Sequence, residues 1–136
     1  MITYSAIRRI NGDVNALPYK SDAEQFGTPE WWASITDAGG DCEDFSITKY
    51  HRLLQSGATP QQLRFATCFV EPSADADKRK RYHCVLLVDI DDTTYVLDNR
   101  YPNPSEWEMM PYEWHKLQIA GTQTWEWAQG ADKTIS

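Results

Sequence analysis

Between Asp41 and Gln55 the chain runs without a glycine or proline. Ile47, Tyr50 and Leu54, with Phe45 and Leu53 beside them, recur there at the three- and four-residue spacing of one helix face. Ser56-Gly57 closes this run as a glycine C-cap, and Asp41, Glu43 and Asp44 crowd its first turn, where the macrodipole favours anions. The pattern predicts a helix. Strand-like runs follow at residues 63–70, 82–90 and 93–97, the last two joined by an Asp91-Asp92 turn. In the second run Cys84, Leu86, Val88 and Ile90 occupy one face and Val85 and Leu87 the other, which predicts a central strand covered on both sides. Residues 114–120 and 122–128, about Gly121, read as another hairpin. The first forty residues look different. Asn11-Gly12-Asp13, Leu17-Pro18, Phe26-Gly27-Thr28-Pro29 and Gly39-Gly40 interrupt any period, predicting loops and one short helix over residues 29–34. A helix on an antiparallel sheet makes an α+β domain.

With 136 residues, 41% of them hydrophobic, the chain has the size of one ordinary domain and enough apolar surface for a core of its own. No repeat or linker divides it, so residues 1–136 are expected to form a single domain. No stretch approaches the roughly 20 apolar residues of a membrane span. Thirteen Lys and Arg against twenty Asp and Glu give a net charge of -7, which repels a phosphate backbone and argues against nucleic-acid binding. The opening Met1-Ile2-Thr3-Tyr4-Ser5-Ala6-Ile7-Arg8-Arg9 lacks the basic-then-apolar run of a secretory signal. Cys42, Cys68 and Cys84 are odd in number, so they read as thiols and the expected location is the cytoplasm.

One of these thiols has a special position. Gly39-Gly40-Asp41-Cys42 sets a cysteine at the start of the predicted helix, where the dipole and unpaired backbone N–H groups favour the thiolate. The glycines permit another chain to approach closely. A nucleophilic thiol needs a base, and the base needs an orienting group. Hairpin arithmetic supplies both. With a two-residue turn at Asp91-Asp92, Ile90 faces Thr93 and Val85 faces Asp98; His83 shares the parity of Val85, making it a diagonal neighbour of Asp98. Such diagonals lie roughly 7–8 Å apart at the backbone, within side-chain reach.

Together these residues resemble the bacterial transglutaminase-like cysteine peptidases, a group that includes periplasmic proteases releasing biofilm adhesins. Gly40-Asp41-Cys42-Glu43-Asp44-Phe45, followed by Lys49, Leu53 and Gly57, is similar to the family's nucleophile helix. His83-Cys84-Val85-Leu86-Leu87-Val88 resembles its histidine strand, Val96-Leu97-Asp98-Asn99 its acid strand, and Trp31-Trp32-Ala33-Ser34 its upstream tryptophan segment. The resemblance implies a papain-like fold of the transglutaminase type. It implies Cys42 as nucleophile, His83 as general base and acid, and Asp98 as the orienter of His83. The oxyanion donor would be the backbone N–H of Cys42, and Trp32 and Gly40 would border the cleft. The implied substrate is a protein or peptide. The family's exported members carry a signal peptide and extra N-terminal helices; neither is read in this chain, which resembles a phage-type version.

The same resemblance brings in calcium, held by acids matching Asp41, Glu43 and Asp44. Three carboxylates beside a thiolate oppose its ionisation, and a hard cation on oxygen ligands relieves that. Capping of the helix explains the same acids equally well, so no cofactor is required and calcium stays open beside the cap. Hydrolysis of a peptide bond is the leading expectation; transglutaminase or amidase turnover, and a silent phage-type binding module in the same cleft, are the alternatives. The remaining features read as ordinary. Asp75, Asp77, Lys78, Arg79, Lys80 and Arg81 form a solvated loop, Asp89, Asp91 and Asp92 a hairpin turn, and Cys68 and Cys84 core thiols. Trp107, Trp114, Trp125 and Trp127 read as packing, His51 lies too far along the helix to serve as base, and His115 has no ligand-like neighbour.

Overall fold

The computed structural model describes residues 2–16, 41–70 and 82–129, and within them the side chains of residues 41–44 and 82 lie outside the description. Helix α1 spans Tyr4–Asn15. It starts where Thr3 takes extended backbone and its hydroxyl accepts a hydrogen bond from the Ala6 N–H at 3.2 Å. Ile7, Ile10 and Val14 form its buried stripe. This corrects the reading of residues 4–15 as part of an irregular stretch of loops. Gly12 costs about 1 kcal/mol of helix propensity relative to alanine. Burying three large aliphatic side chains returns roughly 1.5–3 kcal/mol each, and packing wins over the local signal. The helix expected at residues 29–34 lies outside the described residues.

Helix α2 spans Asp41–Gln55, as its periodicity predicts. Gly57, at φ 108°, ends it: the Gly57 N–H bonds to the Leu54 carbonyl at 3.3 Å and the Ala58 N–H to the Leu53 carbonyl at 3.0 Å. That pair of bonds is the Schellman arrangement, which needs a left-handed residue here. A 3₁₀ turn at Pro60–Gln62 leads into the sheet.

The strands are β1 (Leu63–Phe69), β2 (Tyr82–Ile90), β3 (Thr93–Leu97), β4 (Ser105–Glu106), β5 (Glu113–Gln118) and β6 (Trp125–Trp127). They pair antiparallel throughout, in the order β4-β3-β2-β1-β5-β6. Both helices cover one face of the sheet. Leu63, Phe65, Cys84, Leu86, Val88 and Leu97 pack there against Ile7, Ile10, Val14, Ile47 and Leu53. The alternate residues Ala66, Val85, Leu87, Val96 and Leu117 form a second core, covered by Trp107, Met110 and Trp114. Strand β2 is therefore buried on both faces, as expected from its sequence. The domain is α+β, and among the described residues α1 joins the helix expected at Asp41–Gln55. No helix among the described residues is long and apolar enough to cross a membrane.

Candidate active site

The β2–β3 hairpin fixes the site. Ile90 pairs with Thr93 and the register continues to Leu86 opposite Leu97, with Asp91 accepting the left-handed φ of 54° that the tight turn requires. Extending that ladder by one residue carries Asp98 onto the face of His83. The imidazole Nε2 lies 2.9 Å from Asp98 Oδ1, and the two residues are 8% and 2% exposed. Asp98 accepts further hydrogen bonds from the Arg100 backbone N–H at 2.8 Å and, on Oδ2, from the Tyr112 hydroxyl. Burial alone pushes the Asp98 carboxyl up. The hydrogen bond from His83, the charge of His83, Tyr112 and the Arg100 N–H outweigh burial and hold the carboxyl below its ordinary range. Tyr112 moves the opposite way: burial first, then its bond to Asp98, raises its hydroxyl well above the usual value. The acid thus stays ionised and the phenol stays a donor.

The loop that follows Asp98 is held by α1. Asn15 Nδ2 donates to the Asp98 and Tyr101 carbonyls, each at 3.1 Å, and Asn11 Nδ2 to the Tyr101 and Pro102 carbonyls at 2.9 and 3.1 Å. Asn11 and Asn15 are one helical turn apart, so α1 presents a pair of amides to one stretch of backbone. The residues that looked like a break in the sequence carry this function.

Helix α2 carries the cysteine that the sequence singles out. Cys42 is its second residue, so its backbone lies in the first turn, beside the unpaired N–H groups of the helix start. The side chains of Asp41, Cys42, Glu43 and Asp44 are not among those described, and Trp32 and Gly40 lie outside the described residues. Lys49, two turns further on, is 0% exposed, and its Nζ has no hydrogen-bond partner among the described residues. Burial lowers its pKa to about 7, against the raising influence of Asp98 and then Cys84. The structure therefore joins His83 to Asp98, the diagonal that hairpin arithmetic anticipates. Tyr112, the asparagine pair and the burial of Lys49 carry no comparable signal in the sequence.

The residues read as ordinary have structural surroundings. His115 packs edge-on against Phe69 and Trp127, at 5.4 and 5.0 Å between ring centres. The Lys116 ammonium lies over Trp125 and Trp127, 4.8 and 5.3 Å from the ring centres. Cys68 and Cys84 are buried and form no disulfide among the described residues. Asp89 bonds Arg64 and Thr94 at the turn end of the hairpin.

An imidazole bonded through Nε2 to a buried carboxylate keeps its proton on that nitrogen and exchanges protons at Nδ1. This is the requirement for a general base held in one tautomer. The chain matches the model of the bacterial transglutaminase-like cysteine proteinases over residues 2–134. It is similar in structure to Legionella pneumophila LapG in its calcium-bound form, at TM-score 0.61 and 22% identity, covering 93% of this chain and 70% of that one. A second LapG structure gives TM-score 0.62 and 22% identity over 94% of this chain and 69% of that one. An EGTA-treated LapG gives 0.56 and 23% over 90% and 70%. A comparison with curated proteins finds no match. The structural likeness speaks for the fold, and the family match extends over nearly the whole sequence: the chain belongs to the bacterial transglutaminase-like cysteine proteinases and is a cysteine peptidase of that family.

Proposed function

We propose that the protein cleaves a peptide bond through a Cys42–His83–Asp98 triad. The observation that carries this reading is the buried 2.9 Å hydrogen bond between His83 Nε2 and Asp98 Oδ1, two groups brought together from separate strands. His83 Nδ1 takes the proton of the Cys42 thiol. The thiolate attacks the scissile carbonyl carbon, and the C–S bond forms as the carbonyl becomes an oxyanion. That charge is met by the backbone N–H of Cys42, with Gly40 and Trp32 bordering the cleft. The imidazolium then gives its proton to the departing amine nitrogen as the C–N bond breaks, leaving a thioester. Water, deprotonated by His83, attacks the thioester; the acid leaves and the thiol is restored. Asp98 remains ionised throughout, which the bonds from Tyr112 and Arg100 support.

Asp41, Glu43 and Asp44 would hold a calcium ion. Helix α2 begins at Asp41, so the three carboxylates share its first turn, and an all-oxygen anionic donor set suits a hard cation. LapG is known in calcium-bound and EGTA-treated forms. The ion would offset the repulsion that three carboxylates exert on a neighbouring thiolate. Calorimetric titration of calcium into metal-free protein is expected to release or absorb heat; a flat trace at millimolar calcium contradicts binding.

The activity is tested by incubating a peptide library with the protein and with Cys42→Ala, followed by mass spectrometry. Cleavage at a recurring sequence by the first protein and none by the variant is expected. Equal cleavage by both contradicts the thiol mechanism.

A further inference from the structure

Among the described residues two pairs of tryptophans meet, and the chain treats them differently. Trp125 and Trp127, 5.0 Å apart between ring centres, hold the Lys116 ammonium at 4.8 and 5.3 Å. Trp107 and Trp114 stand 5.6 Å apart, tilted by 46°, and no cation of the described residues lies over either ring. Both are half-buried: they help to cover the second core and also line a cleft of about 320 Å³. Met110 and Tyr112 complete its apolar wall, and the exposed Glu108 brings a carboxylate to it. An adjoining cleft shares Trp107 and Glu108 and adds the exposed Asp92 and Glu106. No Lys, Arg or His among the described residues lines either cleft, so the surface around the open pair is acidic.

This cleft borders the proposed active site. The hydroxyl of Tyr112, in its wall, donates to Asp98 Oδ2, and Asp98 Oδ1 bonds His83. A second path runs through the sheet: Cys68 stands opposite His83 in the β1–β2 register and packs with Tyr112, Met110 and Trp114. The cleft therefore lies on the His83 face of the sheet, two hydrogen bonds from the imidazole. A peptide held for attack beside that imidazole reaches it within about three residues, at roughly 3.3–3.6 Å each. The lining decides what fits. Aromatic faces attract a cation, tryptophan most strongly, and a carboxylate at the mouth adds to that attraction and rejects an acid. A long basic side chain lays its aliphatic stem along the apolar wall and keeps its charged head beside the carboxylate.

We propose that the cleft between Trp107 and Trp114 is a specificity pocket that takes a lysine or arginine side chain of the peptide substrate. This rests on the peptidase reading for its purpose, whereas binding of the side chain does not. The pair at Trp125 and Trp127 shows the same contact made within the chain, with Lys116 as the cation. Arg100, whose charge is felt at Tyr112, lies over Tyr101 and leaves the pocket to the substrate.

Binding is read in Cys42→Ala, which leaves a peptide uncut, with capped glycine pentapeptides that carry arginine, lysine, leucine or glutamate at the centre. NMR of the indole N–H signals, assigned through Trp107→Phe and Trp114→Phe, follows each peptide at millimolar concentration. The arginine and lysine peptides are expected to shift the Trp107 and Trp114 signals saturably and to leave those of Trp125 and Trp127, which Lys116 already occupies, in place. Glu108→Gln, at an exposed position that does not endanger folding, should weaken this binding about two- to fivefold. Glu108→Lys, which offers the pocket a tethered ammonium, should weaken it about tenfold. Equal binding of the leucine and arginine peptides, undiminished binding in Glu108→Lys, or no shift with any peptide overturns the proposal. In the wild type, cleavage of a peptide library should favour a basic residue within about three positions of the scissile bond. Cleavage without that preference overturns the pocket and leaves the triad standing, whereas saturable binding without cleavage counts against the triad and for the pocket.

Discussion

The β2–β3 hairpin carries aspartate at each end, three at the turn and Asp98 alone at the open end, and the two ends behave in opposite ways. At the turn end, Asp89 shares a 3.3 Å ion pair with Arg64, and their side chains are 34% and 21% exposed. Asp91 and Asp92 beside it are exposed. At the open end, Asp98 is sealed among His83, Tyr112 and the Arg100 N–H. The residue type is the same, and so is the strand pair. What differs is cover. Water solvates the turn end and screens its charges, whereas the open end is closed by α1 through Asn15 and by Tyr112, the residue before β5. A carboxylate becomes a tool for orienting a base only where solvent cannot compete for its lone pairs.

Substituting at both ends sharpens this contrast. Asp98→Asn keeps the shape and reverses the hydrogen-bonding logic, offering His83 a donor where an acceptor stood. Peptide cleavage is expected to fall by up to about 10⁴-fold, the loss that the same change produces in a serine-protease triad. Asp89→Asn, assayed alongside, should leave the rate unaltered. Comparable losses in both would erase the distinction between the two ends.

The same pair of variants separates in acid. The Asp98 pKa is held below its ordinary value in the folded protein, so its contribution to stability is present above the unfolded-state value. That contribution disappears as pH falls through the lowered, folded-state value. Denaturant titrations from pH 5 downwards should show a steeper loss for the wild type than for Asp98→Asn. Parallel curves would mean that Asp98 is not the stabilising acid.

Tyr112→Phe removes one donor to a buried carboxylate and is expected to cost about 1.5–3 kcal/mol in urea unfolding, with cleavage reduced as well. Arg64→Ala, at the solvated end, should cost about 1 kcal/mol or less, and that loss should shrink at high salt. A larger cost for Arg64→Ala than for Tyr112→Phe would invert the account.

The sequence disclosed the parts of this site that depend on local rules. A two-residue turn and the alternation of a strand were enough to align His83 with Asp98, because register in a tight hairpin is set within about fifteen residues. Helix α2 was legible from its unbroken stripe and its glycine cap. Helix α1 was not, although Ile7, Ile10 and Val14 sit at helical spacing. Asn11-Gly12-Asp13 looked like a turn, yet Asn11 is occupied with the Tyr101 and Pro102 carbonyls, and a Cβ at Gly12 would meet nothing within 4 Å. Tyr112 was invisible for a different reason. Its partner depends on β5 pairing with β1 across the sheet, a long-range choice that no local spacing encodes. Lys49 is the same kind of case, a charged residue whose burial is decided by the elements stacked over it.

The central claim is that His83, oriented by Asp98, activates the thiol of Cys42. Iodoacetamide alkylation at pH 6, resolved by mass spectrometry into Cys42, Cys68 and Cys84, tests it in the wild type and in His83→Ala. Cys42 should react first in the wild type and slow on the order of a hundredfold in the variant, as expected when a thiol returns to its ordinary pKa near 8.5. An alkylation rate at Cys42 that is the same in both proteins would contradict the account.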